Sequence, residues 1–134
     1  MKTKIDLTSL GLLFLRLFFG FTMLIQHGIG KYEKLINSTE IHFPDPFGIG
    51  AFPTLVLVVI AEVSCSMLIA AGLFTRWALL PLIITMFVAV FVIHSADDIS
   101  KIKKGLLYSA GFITLLCTGP GEYSLDAFLN IKKQ

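Results

Sequence analysis

Hydrophobic positions in this chain gather into four solid blocks, with polar residues confined to short breaks between them and to the two ends. The blocks run at about 9–26, 52–74, 77–94 and 105–118. Crossing a bilayer takes roughly 20 apolar residues as a helix, which the first three blocks supply. The fourth is shorter and is expected to recruit Lys101, Lys103 and Lys104 as snorkelling ends. A strand would alternate apolar and polar positions, and a lipid environment leaves no partner for open backbone groups, so solid runs predict helices. The fold expected is all-α, a transmembrane four-helix bundle in a single domain.

The breaks differ in kind. Thr75-Arg76 joins the second and third blocks so tightly that their helices must be antiparallel neighbours. Pro81 falls in the first turns of the third helix, where a missing N–H costs little. The one longer loop, from Gly28 to Ala51, contains "FPDPFGIG"; its Pro and Gly residues exclude a continuous helix there. After the fourth block, "GPGEYSLD" ends the helix, and Ser124 is placed to cap a short one over 125–131 with Asp126 in its first turn.

Composition agrees with the pattern. Of 134 residues, 55% are hydrophobic and 15% charged, at a mean hydropathy of +0.82, which leaves too little polar surface for a soluble domain. A net charge of +2, scattered along the chain, implies no nucleic-acid partner. Lys2 and Lys4 open the chain like a signal peptide, but Arg16 interrupts the apolar run and no cleavage-type site follows, so a retained first span is expected. The Lys/Arg count is five on each side of a four-span arrangement, so the positive-inside rule gives no orientation. Cys65 and Cys117 form no C-x-x-C pair and read as small buried hydrophobes.

Against this apolar background the polar residues inside the blocks stand out. Arg16 lies roughly 10 Å into the first span and Glu62 roughly 15 Å into the second at the helical rise per residue. A lone charge at mid-bilayer costs about 2.5–3.5 kcal/mol on insertion scales, so the two are expected to meet as an ion pair. Such a pair can fix helix register, or Glu62 can be protonated with Arg16 snorkelling, or both can line a cavity for a polar head or a proton. Arg16, Gly20, Met23 and His27 share one helical stripe, and Glu62, Ser66, Ile69 and Leu73 another. The small Gly20 and Ser66 would let the two helices approach closely. His27 and His94 end helices running the same way, so they share a membrane face with Gln26, Lys31 and Tyr108. Histidine carries protons well near neutral pH. Two His are short of a typical metal set, so no metal is assigned, and haem ligation would need a haem-sized gap and is disfavoured.

These residues resemble the DoxX family of small four-helix bacterial membrane proteins. Arg16 with Gly20, then Gln26-His27-Gly28 and Lys31, is similar to its first-helix pattern. "FPDPFGIG" is similar to its loop, "AEVSCSMLIAAGLFTRWALLPL" to its second helix and turn, and "FVIHSADD" and "TGPGEYSLD" to its later signatures. The resemblance implies a multi-pass protein of the bacterial cytoplasmic (inner) membrane, in a family associated with quinol oxidases and oxidative stress. It implies a polar set of Arg16, His27, Lys31, Glu62, Arg76 and His94. Lys103 and Lys104 stand where relatives would carry an acid ahead of Tyr108, which puts a proton-moving role for that position in doubt. The cysteine pairs of its vitamin-K-reductase-like cousins are missing, which disfavours thiol chemistry.

Two functions are carried forward. In the first, Glu62, Arg16, His27 and His94 act on a quinone or similar carrier that Tyr108, Gln26 and Lys31 help bind, with electrons exchanged with a redox partner protein because no cofactor fingerprint is present. In the second, the chain is a non-catalytic scaffold or assembly subunit docking a partner oxidoreductase or a second copy of itself. A cavity beside Glu62 favours the first; a tightly packed interior with Glu62 fully paired favours the second. A transporter is disfavoured, for want of repeats or a relay of acids.

Overall fold

The computed structural model describes residues 4–129. It is an all-α membrane bundle of α1 (Leu7–Asn37), α2 (Ala51–Ala71), α3 (Thr75–Ile93) and α4 (Ile99–Thr118), followed by the short α5 (Leu125–Phe128). The first three are long and apolar enough to cross a membrane; α4 has 20 residues, with its lysines in the first turns.

Helix α1 corrects the sequence expectation. Rather than stopping near Gln26, it runs on to Asn37, so the loop shrinks to 38–50. At 31 residues it is about 46 Å long, more than the roughly 30 Å hydrocarbon core, so its polar last turns stand clear of the apolar layer. Gly28 does not break it, because tertiary packing selects glycine there: a Cβ would lie 3.1 Å from the Glu62 carbonyl oxygen. Helix α4 likewise starts before the apolar block, at Ile99, taking all three lysines into the helix. Of the helix expected over 125–131, Leu125–Phe128 forms, with Ser124 Oγ accepting from the Ala127 N–H at 3.2 Å; its expected end lies outside the described residues.

Helices α2 and α3 join through a Schellman turn. Gly72 takes φ +73°, its N–H donates to Ile69 O at 3.0 Å, and the Leu73 N–H donates to Leu68 O at 2.9 Å. The core is a layer of Phe19, Met23, Ile69, Leu79, Leu82 and Phe112, sealed where the Phe19 ring lies in the space above Gly111. Gly20 lies against Ser66, as their sizes led one to expect: its Cβ would meet Ser66 O at 3.0 Å. Phe14, Phe18, Phe21, Trp77 and Phe87 point outward, where a bilayer supplies hydrocarbon.

The helices do not pack evenly along their length. The lower half of α2, toward the turn, is wedged between α1 and α3. Its upper half, Ala51–Val59, packs on Ile29–Asn37 of α1, while the upper turn of α3, Ala89–Ile93, packs on α4. Helices α2 and α3 therefore part toward the loop end.

Candidate functional site

Polar side chains buried in the bundle form two clusters, one at the α2–α3 turn and one at mid-height of α2, and they divide the residues singled out by sequence. Arg16 belongs to the turn end and does not meet Glu62. Its Nη1 donates to Ile69 O at 3.4 Å and Ala70 O at 3.3 Å, and its Nη2 donates to Tyr123 O. These are the end carbonyls of α2 and a carbonyl of the returning C-terminal segment. A cation at a helix C-terminus gains from the helix dipole as well as from the bonds. Glu62 is eight residues away from Ala70, about 12 Å along α2, so the α2 end offers Arg16 much nearer acceptors.

Asp126 completes this clamp from the other side. Its carboxylate accepts from the Phe74 N–H at 2.7 Å and the Thr75 N–H at 3.0 Å, which satisfies the start of α3. The acid expected to serve its own short helix thus caps another one. Together Arg16 and Asp126 secure the two ends of the α2–α3 turn, and this role is structural.

Glu62 lies in the middle of α2, paired with Lys31. The fully buried Glu62 accepts at Oε1 from Lys31 Nζ at 2.5 Å; the Lys31 side chain is 28% exposed. Lys31 reaches Glu62 because α1 continues as a helix past His27. Three π-helical turns surround the place: Leu24–Gly28 carries His27, Ile60–Cys65 carries Glu62, and Ala89–Ile93 leads into His94. Such turns insert a residue into a helix without breaking it and recur at functional sites. Here they widen each helix where it meets a common cavity.

That cavity has a volume of about 580 Å³ and mostly apolar walls. Its polar lining includes His27, Lys31, Glu62, His94, Lys101 and Lys104. Among the described residues, five buried side-chain atoms lack a hydrogen-bond partner: Glu62 Oε2 and His27 Nε2 at this cavity, and Arg16 Nε, Ser66 Oγ and Thr75 Oγ1 away from it. Buried polar atoms are nearly always paired, so two orphans at one cavity mark a place where a guest can bond. The His27 ring stands edge-on to Tyr108 at 5.3 Å between centroids. Tyr108 is buried behind it, against Phe19 and Phe112, as support for the imidazole rather than as lining.

At the cavity mouth His94 Nδ1 and Asp97 Oδ2 are 2.6 Å apart. This hydrogen bond, with help from Lys101, holds the Asp97 carboxyl below the usual carboxylate range. The sequence reading missed Lys101 and Lys104 as lining residues. The signal was present: Lys101, Lys104 and Tyr108 fall on one helical stripe once α4 begins at Ile99. Gln26, in contrast, is exposed and does not line the cavity. Cys65 and Cys117 are both free thiols, the first half-buried and the second exposed on the outer face rather than buried as expected.

Comparisons with known proteins agree with this architecture. The DoxX family model matches residues 11–95, which hold every polar residue of the cavity except those of α4. The chain is 31% identical over 114 residues to the Inner membrane protein YqjF of Escherichia coli (strain K12), covering 82% of this chain and 85% of that protein. No solved structure matches it. The long apolar helices and the inner-membrane relative fit a multi-pass protein of the inner membrane. The family match over most of the chain settles the resemblance that its motifs carry, and the chain belongs to the DoxX family.

Proposed function

We propose that this protein binds a quinone or similar lipid-soluble carrier in the cavity beside Glu62, as the membrane subunit of a redox or oxidative-stress system. The observation that carries the reading is the pair of buried orphans, Glu62 Oε2 and His27 Nε2, at the wall of an apolar cavity of about 580 Å³. Apolar walls with a few placed polar groups are what a carrier ring needs. Lys31 balances the Glu62 charge and leaves Oε2 as an acceptor for the hydroxyl of the reduced carrier. His27 Nε2 faces the second ring oxygen, and Tyr108 holds the imidazole in place. A proton received by Glu62 has His94 and Asp97 ahead of it at the cavity mouth. Electrons pass to or from a partner oxidoreductase. Arg16 and Gln26 drop out of the proposed site, the first serving the α2–α3 turn and the second facing outward.

The scaffold reading calls for a packed interior and a fully paired Glu62; the cavity and the free Oε2 weigh against it. The test is a titration of the detergent-purified protein with a short-chain quinone and its quinol. Saturable binding is expected, and that of the quinol should be weakened about tenfold by Glu62→Leu or His27→Ala, since each removes one hydrogen bond to the head. Wild-type protein that shows no saturable binding of either form refutes the proposal.

A further inference from the structure

We infer that the cavity is filled sideways from the bilayer, through the opening where α2 and α3 part, and that its guest is an amphiphile whose hydrocarbon chain lies across Leu57 and Ile84. This rests on the carrier reading of the same site and adds to it the route of entry and the part of the ligand that route selects.

Three observations converge. The upper halves of α2 and α3 each pack on a different neighbour, so the wall between them is open toward the loop end. Leu57 of α2 and Ile84 of α3 line the cavity, yet they are 59% and 60% exposed, so the inner wall runs without interruption into the lipid-facing surface. The loop side is roofed by Phe43, Pro46, Phe47 and Ile49. That roof is pinned: Asp45 accepts from the Ile49 and Gly50 N–H groups at 3.1 and 2.7 Å and from Thr54 Oγ1 at 3.1 Å, while Lys34 Nζ donates to His42 O at 2.6 Å. On the loop side a polar ligand therefore meets an apolar cover, with polar side chains only along the His94 and Lys101 edge, whereas a lipid-borne ligand meets apolar surface leading to Glu62. With the orphaned Glu62 Oε2 and His27 Nε2 at the inner end and hydrocarbon at the outer end, the fitting guest has a hydrogen-bonding head and an alkyl or isoprenoid tail.

The experiment compares two quinones with the same ring, one with a long alkyl chain and one without, in nanodiscs, with affinities referred to the concentration within the membrane. Referred to the membrane, the chain leaves hydrocarbon rather than water, so its advantage comes from packing on Leu57 and Ile84 alone. The chain-bearing quinone should therefore bind at least about threefold more tightly. Leu57→Trp and Ile84→Trp, which crowd the opening, should each remove most of that advantage and slow the association of both quinones. Ile113→Trp, an exposed position of α4 away from the cavity, should change neither. Circular dichroism and gel filtration identify any variant that fails to fold, and the wild-type chain dependence stands as a test without them. Equal affinity for the two quinones, or Trp variants with unchanged association rates, overturns the sideways route while leaving the carrier reading in place. Failure of the wild type to bind either quinone overturns both.

Discussion

Removing Lys31 tests the site most directly, because Glu62 is wholly buried and Lys31 is its ion-pair partner. In Lys31→Met the packing of the stem is largely kept and the charge is lost. Breaking a buried pair on one side costs about 3–5 kcal/mol, because the remaining charge is left uncompensated. There is also a ceiling: taking up a proton at pH 7 lets Glu62 escape for about 3.7 kcal/mol, at 1.36 kcal/mol per pH unit above an ordinary glutamate value near 4.3. The expected loss at pH 7 is therefore about 3–4 kcal/mol. The reverse removal is cheaper. In Glu62→Gln the partly exposed lysine can straighten toward water, so a loss of about 1–2 kcal/mol is expected. Changing both residues to Met should return stability to within about 1 kcal/mol of wild type, since an apolar pair of similar volume often replaces a buried bridge without loss. Reversible unfolding in mixed micelles, titrated with SDS and read by circular dichroism, gives all three values. A Lys31→Met loss below about 1 kcal/mol at neutral pH, or a double variant worse than either single one, would refute the argument that Glu62 depends on Lys31 in a desolvated site.

Other parts of the structure make separate predictions. Gly72→Ala puts a Cβ at positive φ where the Arg16 guanidinium lies, and should cost about 2–4 kcal/mol in the same unfolding assay. Gly11→Ala, in helical backbone with open space around it, should instead be neutral or stabilising by up to about 1 kcal/mol. Gly20→Val drives α1 away from Ser66 O and should destabilise by about 1–3 kcal/mol, measured as a lower midpoint in the SDS titration. The Asp45 carboxyl is held below the usual range, first of all by the Gly50 N–H. Its folded value is thus the lower one, so its hold on the loop is complete above the ordinary carboxylate range and is lost as pH falls through the depressed value. Hydrogen exchange at the Ile49 and Gly50 amides should speed up on acidification, and Asp45→Asn should show much of that increase at neutral pH. An Asn variant with unchanged exchange would show that the carboxylate does not pin the roof.

Much of the fold could be read from the chain itself, for reasons specific to lipid. Solid apolar runs need internal backbone pairing, which makes them helices, and the brevity of Thr75-Arg76 makes α2 and α3 neighbours. The small sizes of Gly20 and Ser66 marked a close helix contact. Helix ends were less legible. Gly28 read as the start of the loop and Lys31 as part of it, because the apolar run ends there, while the Glu62 backbone that packs on Gly28 arrives from another helix. For the same reason Lys101 and Lys104 read as anchors at the interface, although α4 turns them toward the cavity.

What the sequence determined alone was the inventory and its depth: two ionisable residues too far inside the apolar layer to be left without partners. Which partner each one takes was decided by tertiary structure. Arg16 found the end carbonyls of α2, and Glu62 found a lysine that sequence had assigned to the other side of a helix end. Charge and hydropathy are summed along the chain, whereas pairing depends on where helices start, stop and part. Those choices are made by contacts between segments distant in sequence, and they produce the cavity on which the function rests.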